Sequence, residues 1–328
     1  MPSSSGIIGH ERQLQALQTD LDADNVAHAY LFTGKRHLGK FTVAKRFARM
    51  LLLSDAGSDE ERARREKMID RLLYPDLLVI DELWMEDVRE DFGEIAKTSN
   101  IPQQHRAKAG AKTDTVSMDD IRALQERLHE VGAGRFRCCL IRSAERLQEE
   151  AVNALLKILE EPPPGVVFLL TTQSLSSLLP TLVSRSRTVR FSALPLRDLA
   201  PLVQDVPEGD AQFILRLAQG APGLILRLKN DAERLRQERQ RYNQALSFWN
   251  ATTLAERLKF LEPLHSRGED AEQFLLHLAL ALREERSTAR DARTRALTRL
   301  VRDLRTNASR PLLSQRFAFD VTPSEPRT

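Results

Sequence analysis

The chain has only two cysteines, and these are neighbours, Cys138 and Cys139. Two thiols cannot build a disulfide framework, and they are too few for a four-cysteine zinc site. Long apolar runs are missing as well: the stretch from Phe274 to Leu282 is far shorter than the roughly 18 residues that a membrane-spanning helix needs. No basic start is followed by an apolar run near the N-terminus, so we expect no signal peptide. These absences predict a reduced, cytoplasmic protein that does not enter a membrane.

An excess of charge of one sign is also missing. Lys and Arg total 49 and Asp and Glu total 46, which leaves a formal net charge of +3. This balance argues against a protein dedicated to wrapping nucleic acid, although it permits a local basic patch. Charged residues at 29% and hydrophobic residues at 41% are typical of a folded globular protein.

The first 191 residues alternate between apolar strands and amphipathic helices. Short apolar runs predict strands over 29–32, 77–80, 136–141, 166–170 and 188–191. Helical spacing of apolar residues predicts helices over 11–21, 40–53 and 147–159, a further helix that begins at Asp119, and a solvated, charge-rich helix over 54–73. Strands that are apolar throughout and alternate with helices favour a parallel sheet covered on both faces.

The pattern changes after the last predicted strand. Glycine-punctuated sequence predicts three short helices up to residue 232, and the sequence from 233 to 305 reads as wholly helical. We therefore expect an α/β domain over 1–191, a small helical domain over 192–232, a helical domain over 233–320 and a flexible tail over 321–328. A mobile loop is predicted over 91–117.

A glycine-rich loop joins the first predicted strand to the second helix. It reads Gly34-Lys-Arg-His-Leu-Gly39-Lys40, the pattern of a phosphate-binding P-loop. Glycines let backbone amides turn toward a phosphate, the lysine adds a charge, and the helix N-terminus favours anions. The next residue should be a Ser or Thr that coordinates Mg²⁺, but it is Phe41, and Thr42 follows one position late, about 100° round the helix. The sequence predicts a P-loop fold with a degenerate nucleotide site formed by Gly34, Gly39, Lys40 and Thr42. The loop is either retained for its shape, with little nucleotide bound, or it still binds nucleotide.

Two stretches of the sequence are candidates for the acidic residues that would organise Mg²⁺. Asp81 and Glu82 follow the strand 77–80, which comes first after the P-loop helix and is therefore expected at the sheet edge, away from phosphates. The next strand should carry the acids, but Arg142 and Ser143 stand there. Without a carboxylate to hold Mg²⁺, phosphoryl transfer loses its electrostatic organiser. Asp81 and Glu82 are either a structural strand end, which we favour, or a true acid pair.

Several motifs in order carry a resemblance to a known family. They are Gly6-Ile-Ile-Gly9-His10, His28-Ala-Tyr-Leu-Phe32, Asn153-Ala-Leu-Leu-Lys157-Ile-Leu-Glu160-Glu161-Pro162-Pro163, Phe168-Leu-Leu-Thr171-Thr172 and Leu179-Pro180-Thr-Leu-Val-Ser184-Arg185-Ser186. Together they resemble the delta-prime subunits of bacterial DNA polymerase III clamp loaders, which belong to the AAA+ group. The resemblance is strong over residues 6–191 and weaker over 192–320.

This resemblance implies a RecA-like AAA+ α/β domain with a parallel sheet, a small helical lid and an all-α collar that joins a ring of subunits. It implies a subunit of the DNA-directed DNA polymerase holoenzyme, a nucleotidyltransferase at the level of the complex, without intrinsic activity. Its partners would be gamma/tau-type motor subunits and a delta-type subunit, and through the complex the sliding clamp and primed DNA. Arg185 would act in trans as an arginine finger on nucleotide held by a neighbouring motor subunit, flanked by Ser184 and by Ser186, where the family has cysteine.

Other departures from the family concern its cofactors. Many members carry a four-cysteine zinc module where this chain has residues 54–73, without a cysteine, so we expect no zinc and no metal. Motor subunits place a nucleotide-sensing arginine near the position of Gly223, and Arg227 is one helical turn too late to replace it. ATP binding in cis is thus expected to be weak or absent, and no cofactor is required.

The remaining polar features have plainer interpretations. Thr171 and Thr172, at the end of a strand beside the P-loop strand, are expected to make buried hydrogen bonds. The histidines His10, His28 and His37 lack metal-ligand spacing and are interpreted as structural or exposed.

The stretch from Arg283 to Arg305 holds eight arginines and four acids. It is either a nucleic-acid face or, as we favour in the absence of interleaved aromatics, a solvated face with intrahelical ion pairs.

Three functions stay open from the sequence. The leading one is the non-catalytic clamp-loader subunit. The second is an active AAA+ ATPase, a motor-like loader subunit or a remodeller, which would use Lys40 with Asp81 and Glu82. The third is a regulatory module in which the P-loop fold has become a protein-binding scaffold.

Overall fold

The computed structural model describes residues 7–71, 74–80, 115–130, 132–285 and 289–322. Backbone contacts divide the chain into two compact units, Met1–Ile225 and Leu226–Thr328. None of the helices in these described ranges is both long enough and apolar enough to cross a bilayer. A separate lid over residues 192–232 stays a prediction.

The first unit is built on a parallel sheet, as the strand–helix alternation predicts. Its strands are β1 (Ala29–Thr33), β2 (Leu77–Ile80), β3 (Arg137–Ile141), β4 (Val166–Thr172) and β5 (Arg187–Arg190). Their order is β2-β3-β4-β1-β5, and every neighbouring pair is parallel. Strand β2 therefore lies at the sheet edge, as expected, and β3 and β4 separate it from the P-loop strand β1.

Strand β4 runs two residues farther than predicted. Thr171 and Thr172 extend it because they pair with Phe32 and Thr33 of β1. Both side chains are buried and hydrogen-bonded there.

Helices cover both faces of this sheet. They are α1 (Glu11–Asp22), α2 (Lys40–Leu52), α3 (Asp59–Asp70), α4 (Met118–His129), α5 (Glu149–Glu160), α6 (Pro180–Ser184), α7 (Leu196–Leu199) and α8 (Glu208–Ala218), with 3₁₀ turns at Ala144–Arg146, Leu175–Ser177 and Ala200–Val203. Helices α1 to α3 pack on one face and α4 to α6 on the other. Cys138 and Cys139 join opposite cores, because successive strand side chains point to opposite faces.

Local capping chemistry sets several helix ends. Ser58 accepts a hydrogen bond from the amide of Glu61 and begins α3, so the predicted 54–73 helix is shorter than expected. Ser117 and Asp120 form a capping box that begins α4. Helix α5 begins at Glu149, two residues later than predicted, because Leu147 forms a β-bridge with Val116 and the amide of Gln148 donates to the carbonyl oxygen of Val116.

The second unit is helical within its described residues. Helix α9 (Pro222–Asn230) contains the division between the units, and α10 (Ala232–Asn250), α11 (Leu254–Phe260), a 3₁₀ turn (Glu262–His265), α12 (Glu269–Glu284), α13 (Arg290–Asp303) and α14 (Arg310–Val321) follow. Within the described residues the helical character predicted over 233–305 is confirmed, in several helices separated by short breaks. Thr253 forms a capping box with Glu256 and starts a new helix there, and Gly268, at φ +151°, precedes α12.

The core of the second unit combines stacked aromatics with a buried arginine. Phe248 and Phe317 stack at 5.4 Å, and Trp249 meets Phe317 edge-on. Arg257 is 1% exposed. Its guanidinium donates to the carbonyl oxygens of Val321 at 3.0 Å and Ala251 at 2.6 Å, and so ties two chain segments that follow or end helices.

Candidate functional site: a P-loop without magnesium ligands

The P-loop leaves β1 in a conformation that its two glycines permit. A Cβ at Gly34 would lie 2.5 Å from the backbone oxygen of Phe191, so no side chain fits. Gly39 has φ +84° at the N-terminus of α2, a conformation that glycine adopts without strain. The predicted P-loop shape is therefore present.

Lys40 is buried and folded back onto the loop. It is 9% exposed, and its Nζ donates to the carbonyl oxygens of Gly34 at 2.5 Å and Lys35 at 2.6 Å. Burial, helped by the charges of Arg142 and Arg36 and opposed by Glu145, lowers the pKa of Lys40 to about 8. The loop thus concentrates positive charge in a poorly solvated place.

The two positions that hold Mg²⁺ in a metal-dependent P-loop are occupied by an aromatic ring and a cation. The guanidinium of Arg142 lies over the ring of Phe41, 5.3 Å from its centre, a cation–π distance. Neither side chain can ligate Mg²⁺, which takes oxygen ligands. Among the residues that the structure describes, no group of three or more His, Cys, Asp or Glu side chains could hold a metal ion.

Hydrogen bonds to the hydroxyls of Thr171 and Thr172 link the ends of the strands next to the P-loop to the residues that follow them. The amide of Ser143, a residue in the left-handed region at φ +54°, donates to Thr171 Oγ1 at 2.9 Å. Thr172 Oγ1 donates to the carbonyl oxygen of Ser174 at 3.1 Å. The buried hydrogen-bonding role predicted for both threonines is confirmed.

Glu145 is the acidic residue that acts on Lys40. It follows Ser143 in the 3₁₀ turn after β3. Its Oε1 accepts from the amide of Gln173 at 3.2 Å, whereas its Oε2 is buried without a hydrogen-bond partner. The prediction concentrated on positions 142 and 143 and gave this carboxylate no role.

A cavity of about 300 Å³ lies at the P-loop. Its lining comprises Arg36, His37, Leu38, Gly39, Lys40, Phe41, Thr42, Arg142, Ser143, Thr171, Thr172, Gln173 and Gly223. The structure thus brings together Gly39, Lys40 and Thr42 of the predicted degenerate site. Gly34 does not line the cavity, but it packs against Phe191 at the start of the loop.

Two residues outside the motif hold the loop in place. The amide of Gly223, at the start of α9, donates to the carbonyl oxygen of His37 at 2.9 Å, and a Cβ on Gly223 would meet that same oxygen at 2.9 Å. On the other side a ring nitrogen of His10 bonds the carbonyl oxygen of Leu38 at 2.7 Å. Burial lowers the pKa of His10, and the hydrogen bond opposes that effect only in part.

Sequence reasoning found neither loop contact. It interpreted Gly223 only as a missing arginine, and it tested His10 only for metal-ligand spacing. The one available signal was the motif Gly6-Ile-Ile-Gly9-His10, which contributed to the resemblance without a physical role.

Arg185 lies at the opposite ends of the strands. It follows α6 and precedes β5, whose first residue, Arg187, pairs with Tyr30 near the amino end of β1. Its Nη2 donates to Glu160 Oε1 at 2.9 Å, and the side chain is 36% exposed. The P-loop leaves the carboxyl end of β1, so the structure does not bring Arg185 to it.

The serines that flank Arg185 bond to their own helix. Ser184 Oγ donates to the carbonyl oxygen of Thr181 at 3.0 Å, and Ser186 Oγ donates to that of Leu182 at 2.8 Å. Ser186 thus satisfies its hydroxyl where the family has a cysteine.

Other predicted residues are placed as follows. Asp81, Glu82 and most of the 91–117 loop lie outside the described residues, as does the tail from residue 323. Two arginines of α13 form ion pairs with other segments, Arg293 with Glu285 and Arg299 with Asp320, the latter at 3.4 Å. Arg302 pairs with Asp303 of its own helix at 3.4 Å, so the expected intrahelical pairing is present there beside these links to other segments.

Comparisons with known proteins agree with the motifs. Residues 9–195 match the family described as DNA polymerase III, delta subunit. The gamma/tau subunit of DNA polymerase III from Mycobacterium bovis is 28% identical over 229 residues, which cover 67% of this chain and 35% of that protein. The delta′ subunit from Bacillus subtilis is 26% identical over 224 residues, covering 67% and 59%. The chain thus spans about a third of the length of the gamma/tau relative.

A solved structure shows the same fold across both units. The gamma subunit-related protein of DNA polymerase III from Thermotoga maritima superposes with a TM-score of 0.54 at 18% identity, covering 94% of this chain and 98% of that one. Together with the five-stranded parallel sheet and its P-loop, this likeness bears out the AAA+ fold class. The match over residues 9–195 spans more than half of the sequence, and the chain therefore belongs to the DNA polymerase III delta subunit family of clamp-loader-type proteins.

Proposed function

We propose that the chain is a non-catalytic, delta-prime-like subunit of the DNA polymerase III clamp loader. In this proposal it assembles with gamma/tau-type motor subunits and a delta-type subunit in the cytoplasm. It contributes to loading the sliding clamp on primed DNA and performs no ATP turnover of its own. It requires no cofactor and holds no zinc.

The observation that carries the proposal is the pair Phe41 and Arg142. These residues occupy the two Mg²⁺-ligand positions of the P-loop fold and contact each other. Phosphoryl transfer depends on a metal ion that bridges the phosphates and neutralises developing charge. A chain that cannot organise this ion in cis supports assembly and not hydrolysis.

The position of Arg185 supports a role in trans. In a parallel sheet all carboxyl ends share one edge, and the P-loop leaves β1 at that edge. Arg185 precedes β5 and lies toward the amino edge, so it acts on nucleotide only in another chain. A guanidinium offers several donors in a planar fork, which suits phosphate oxygens.

Reconstitution of the complex with the organism's motor and delta-type subunits tests this role. Arg185→Ala should leave assembly intact and lower ATP hydrolysis at the neighbouring motor site, on the order of a thousandfold for a lost arginine finger. Arg185→Lys should restore only part of the rate, because lysine lacks the fork. Wild-type hydrolysis and clamp loading by the Arg185→Ala complex, or its failure to assemble, would contradict the proposal.

The control for this experiment is Arg190→Ala and not Arg187→Ala. Arg187 is nearer to Arg185 in the sequence, but its Nη1 pairs with Asp20 Oδ1 at 2.8 Å, and Asp20 is buried. Removing Arg187 takes the cation away from this buried carboxylate and leaves it the hydrogen bond from Tyr30, so the variant would lose stability as well as charge. Arg190 lies exposed at the end of the same strand.

The retained P-loop shape favours one second candidate, an active ATPase that uses Lys40 with Asp81 and Glu82. The isolated chain distinguishes the two. No ATP turnover is expected, whereas turnover that Lys40→Ala and Asp81→Ala both abolish would establish the second candidate.

A further inference from the structure

The side chain of Arg185 is held by an acidic residue from another helix. Its Nη2 donates to Glu160 Oε1 at 2.9 Å, and its Nη1 donates to the carbonyl oxygen of Thr181 at 3.4 Å. Within the part of the chain that the structure describes, Arg185 is the partner of the Glu160 carboxylate. The next residue, Glu161, is exposed and makes no such pair among the described residues. The contact is therefore specific to Glu160.

The helix that carries Glu160 does not account for a negative charge at this position. Glu160 is the last residue of α5. The carbonyl end of a helix carries partial negative charge, so a cation is favourable there and a carboxylate is not. Lys157, one turn earlier, meets this preference, whereas Glu160 opposes it. A charge that is unfavourable for its own helix indicates a role outside that helix, and the contact with Arg185 is such a role.

Both ends of the ion pair start from anchored backbone. Ile158 and Leu159, directly before Glu160, are buried in the core on that face of the sheet. Leu182 of α6 is buried in the same core, and Arg185 directly follows the last residue of α6. The pair thus joins two fixed points of the fold, and it restricts the directions that the long arginine side chain can take.

We propose that Glu160 is a positioning residue for Arg185: its carboxylate holds one edge of the guanidinium and leaves the rest of the fork for phosphate oxygens in the neighbouring subunit. A guanidinium has several N–H donors in one plane. The contacts with Glu160 and Thr181 use only part of them, so Glu160 does not have to release Arg185. Glu160 has this role only if Arg185 acts in trans, so the inference rests on the proposed function.

The benefit of this contact is preorganisation. A free arginine side chain occupies many rotamers, and it loses that freedom when it docks on a phosphate of another chain. An ion pair that already restricts the side chain makes this loss smaller. Both partners are partly exposed, and exposed pairs restrain only weakly. The pair should therefore raise the rate of hydrolysis about fivefold, far less than the guanidinium itself.

ATP hydrolysis by the reconstituted clamp-loader complex tests the inference. Glu160→Gln removes the charge and keeps the shape of the side chain. It should lower kcat about fivefold and leave the KM for ATP unchanged, because the motor subunit holds the ATP and Glu160 acts only through the arginine. Glu160→Asp keeps the charge on a shorter side chain and should restore part of the rate. The control is Glu161→Gln, which removes the same charge at the next position and should match wild type.

A double variant separates positioning of Arg185 from other effects of Glu160. In a complex that already carries Arg185→Ala, the further change Glu160→Gln should not lower the rate again, because the residue it acts through is gone. Losses that add would overturn the inference. Urea unfolding of the isolated chain should have the same midpoint for wild type and Glu160→Gln, since the pair is exposed. A lower midpoint would assign Glu160 to stability of the fold and would also overturn it.

Three kinetic outcomes would overturn the positioning role while the role of Arg185 stands. The first is wild-type hydrolysis by the Glu160→Gln complex when Arg185→Ala slows it. The second is faster hydrolysis, which would mean that the carboxylate holds the arginine back. The third is an equal loss from Glu161→Gln, which would reflect surface charge and not this contact. Wild-type hydrolysis by the Arg185→Ala complex would instead contradict the proposed function, and the positioning role with it.

Discussion

The buried charge of Lys40 should lower the free energy of unfolding at neutral pH, and replacing this lysine with an uncharged residue should raise it. Burial, together with Arg142 and Arg36 and against Glu145, lowers the pKa of this lysine from 10.5 to about 8. Because one pKa unit corresponds to about 1.4 kcal/mol, the folded chain holds this charge at a cost of roughly 3 kcal/mol relative to the unfolded chain. The change Lys40→Met keeps the side-chain length and removes the charge.

The direction of the pH dependence follows from proton binding. Between pH 8 and 10.5 the unfolded chain binds more protons at this lysine than the folded chain does, so the free energy of unfolding rises with pH there. Below pH 8 both states are protonated and the cost is present in full. Methionine also removes two hydrogen bonds to loop carbonyls, each worth about 1 kcal/mol.

The difference in free energy of unfolding between Lys40→Met and wild type should change sign as the pH rises. At pH 7 Lys40→Met should be about 1 kcal/mol more stable than wild type, and near pH 10.5 about 2 kcal/mol less stable. Urea unfolding followed by circular dichroism at several pH values measures both free energies of unfolding. Lys35→Met, which removes an exposed lysine from the same loop, is the control.

Parallel pH profiles for wild type and Lys40→Met would refute the reasoning. They would mean that the lysine is solvated in the folded chain, so that the cavity carries no excess of buried positive charge.

Two further stability predictions rest on other buried charges. Asp76→Ala should lower the free energy of unfolding by about 3–5 kcal/mol, measured by urea unfolding, since it leaves Arg137 buried without the carboxylate 3.1 Å from its Nε. Glu238→Gln in the second unit should destabilise at pH 7 and progressively less as the pH falls below 4.5. Burial raises the pKa of Glu238, but the hydrogen bond from His277, at 2.6 Å, and nearby positive charges outweigh burial and lower the pKa. The stabilisation is therefore present above 4.5 and lost as the pH falls through the lowered pKa of the folded chain, and a difference between the two proteins that does not shrink on acidification would contradict this.

Much of the first unit could be predicted because its signals are local. An apolar run followed by Gly34 and Gly39 indicates strand, loop and helix whatever the rest of the chain does. The edge position of β2 also followed from chain order, since the strand after the P-loop helix was expected away from the phosphates. The strand predicted over 166–170 ends two residues too early, because the pairing of Thr171 and Thr172 with β1 depends on a distant part of the chain.

Contacts between distant residues could not be predicted in this way. The pairing of Arg187 with Asp20 joins positions 167 residues apart, and nothing in either neighbourhood indicates the other. The same holds for the hydrogen bond from Gly223 to His37, where a glycine that looked like a lost function proves to be a packing requirement.

The sequence by itself determined the class of the molecule: the P-loop, the missing Mg²⁺ ligands and the retained Arg185 are all properties of residue types at given spacings. Only the tertiary structure decided what the substitutions do together. Arg142 contacts Phe41 and places a positive charge beside Lys40 because parallel pairing through β4 brings the end of β3 beside the P-loop. The chemical groups available to a site follow from the residue types along the chain. The electrostatic potential at the site is a sum over charges that are close in space, and the fold determines which charges those are.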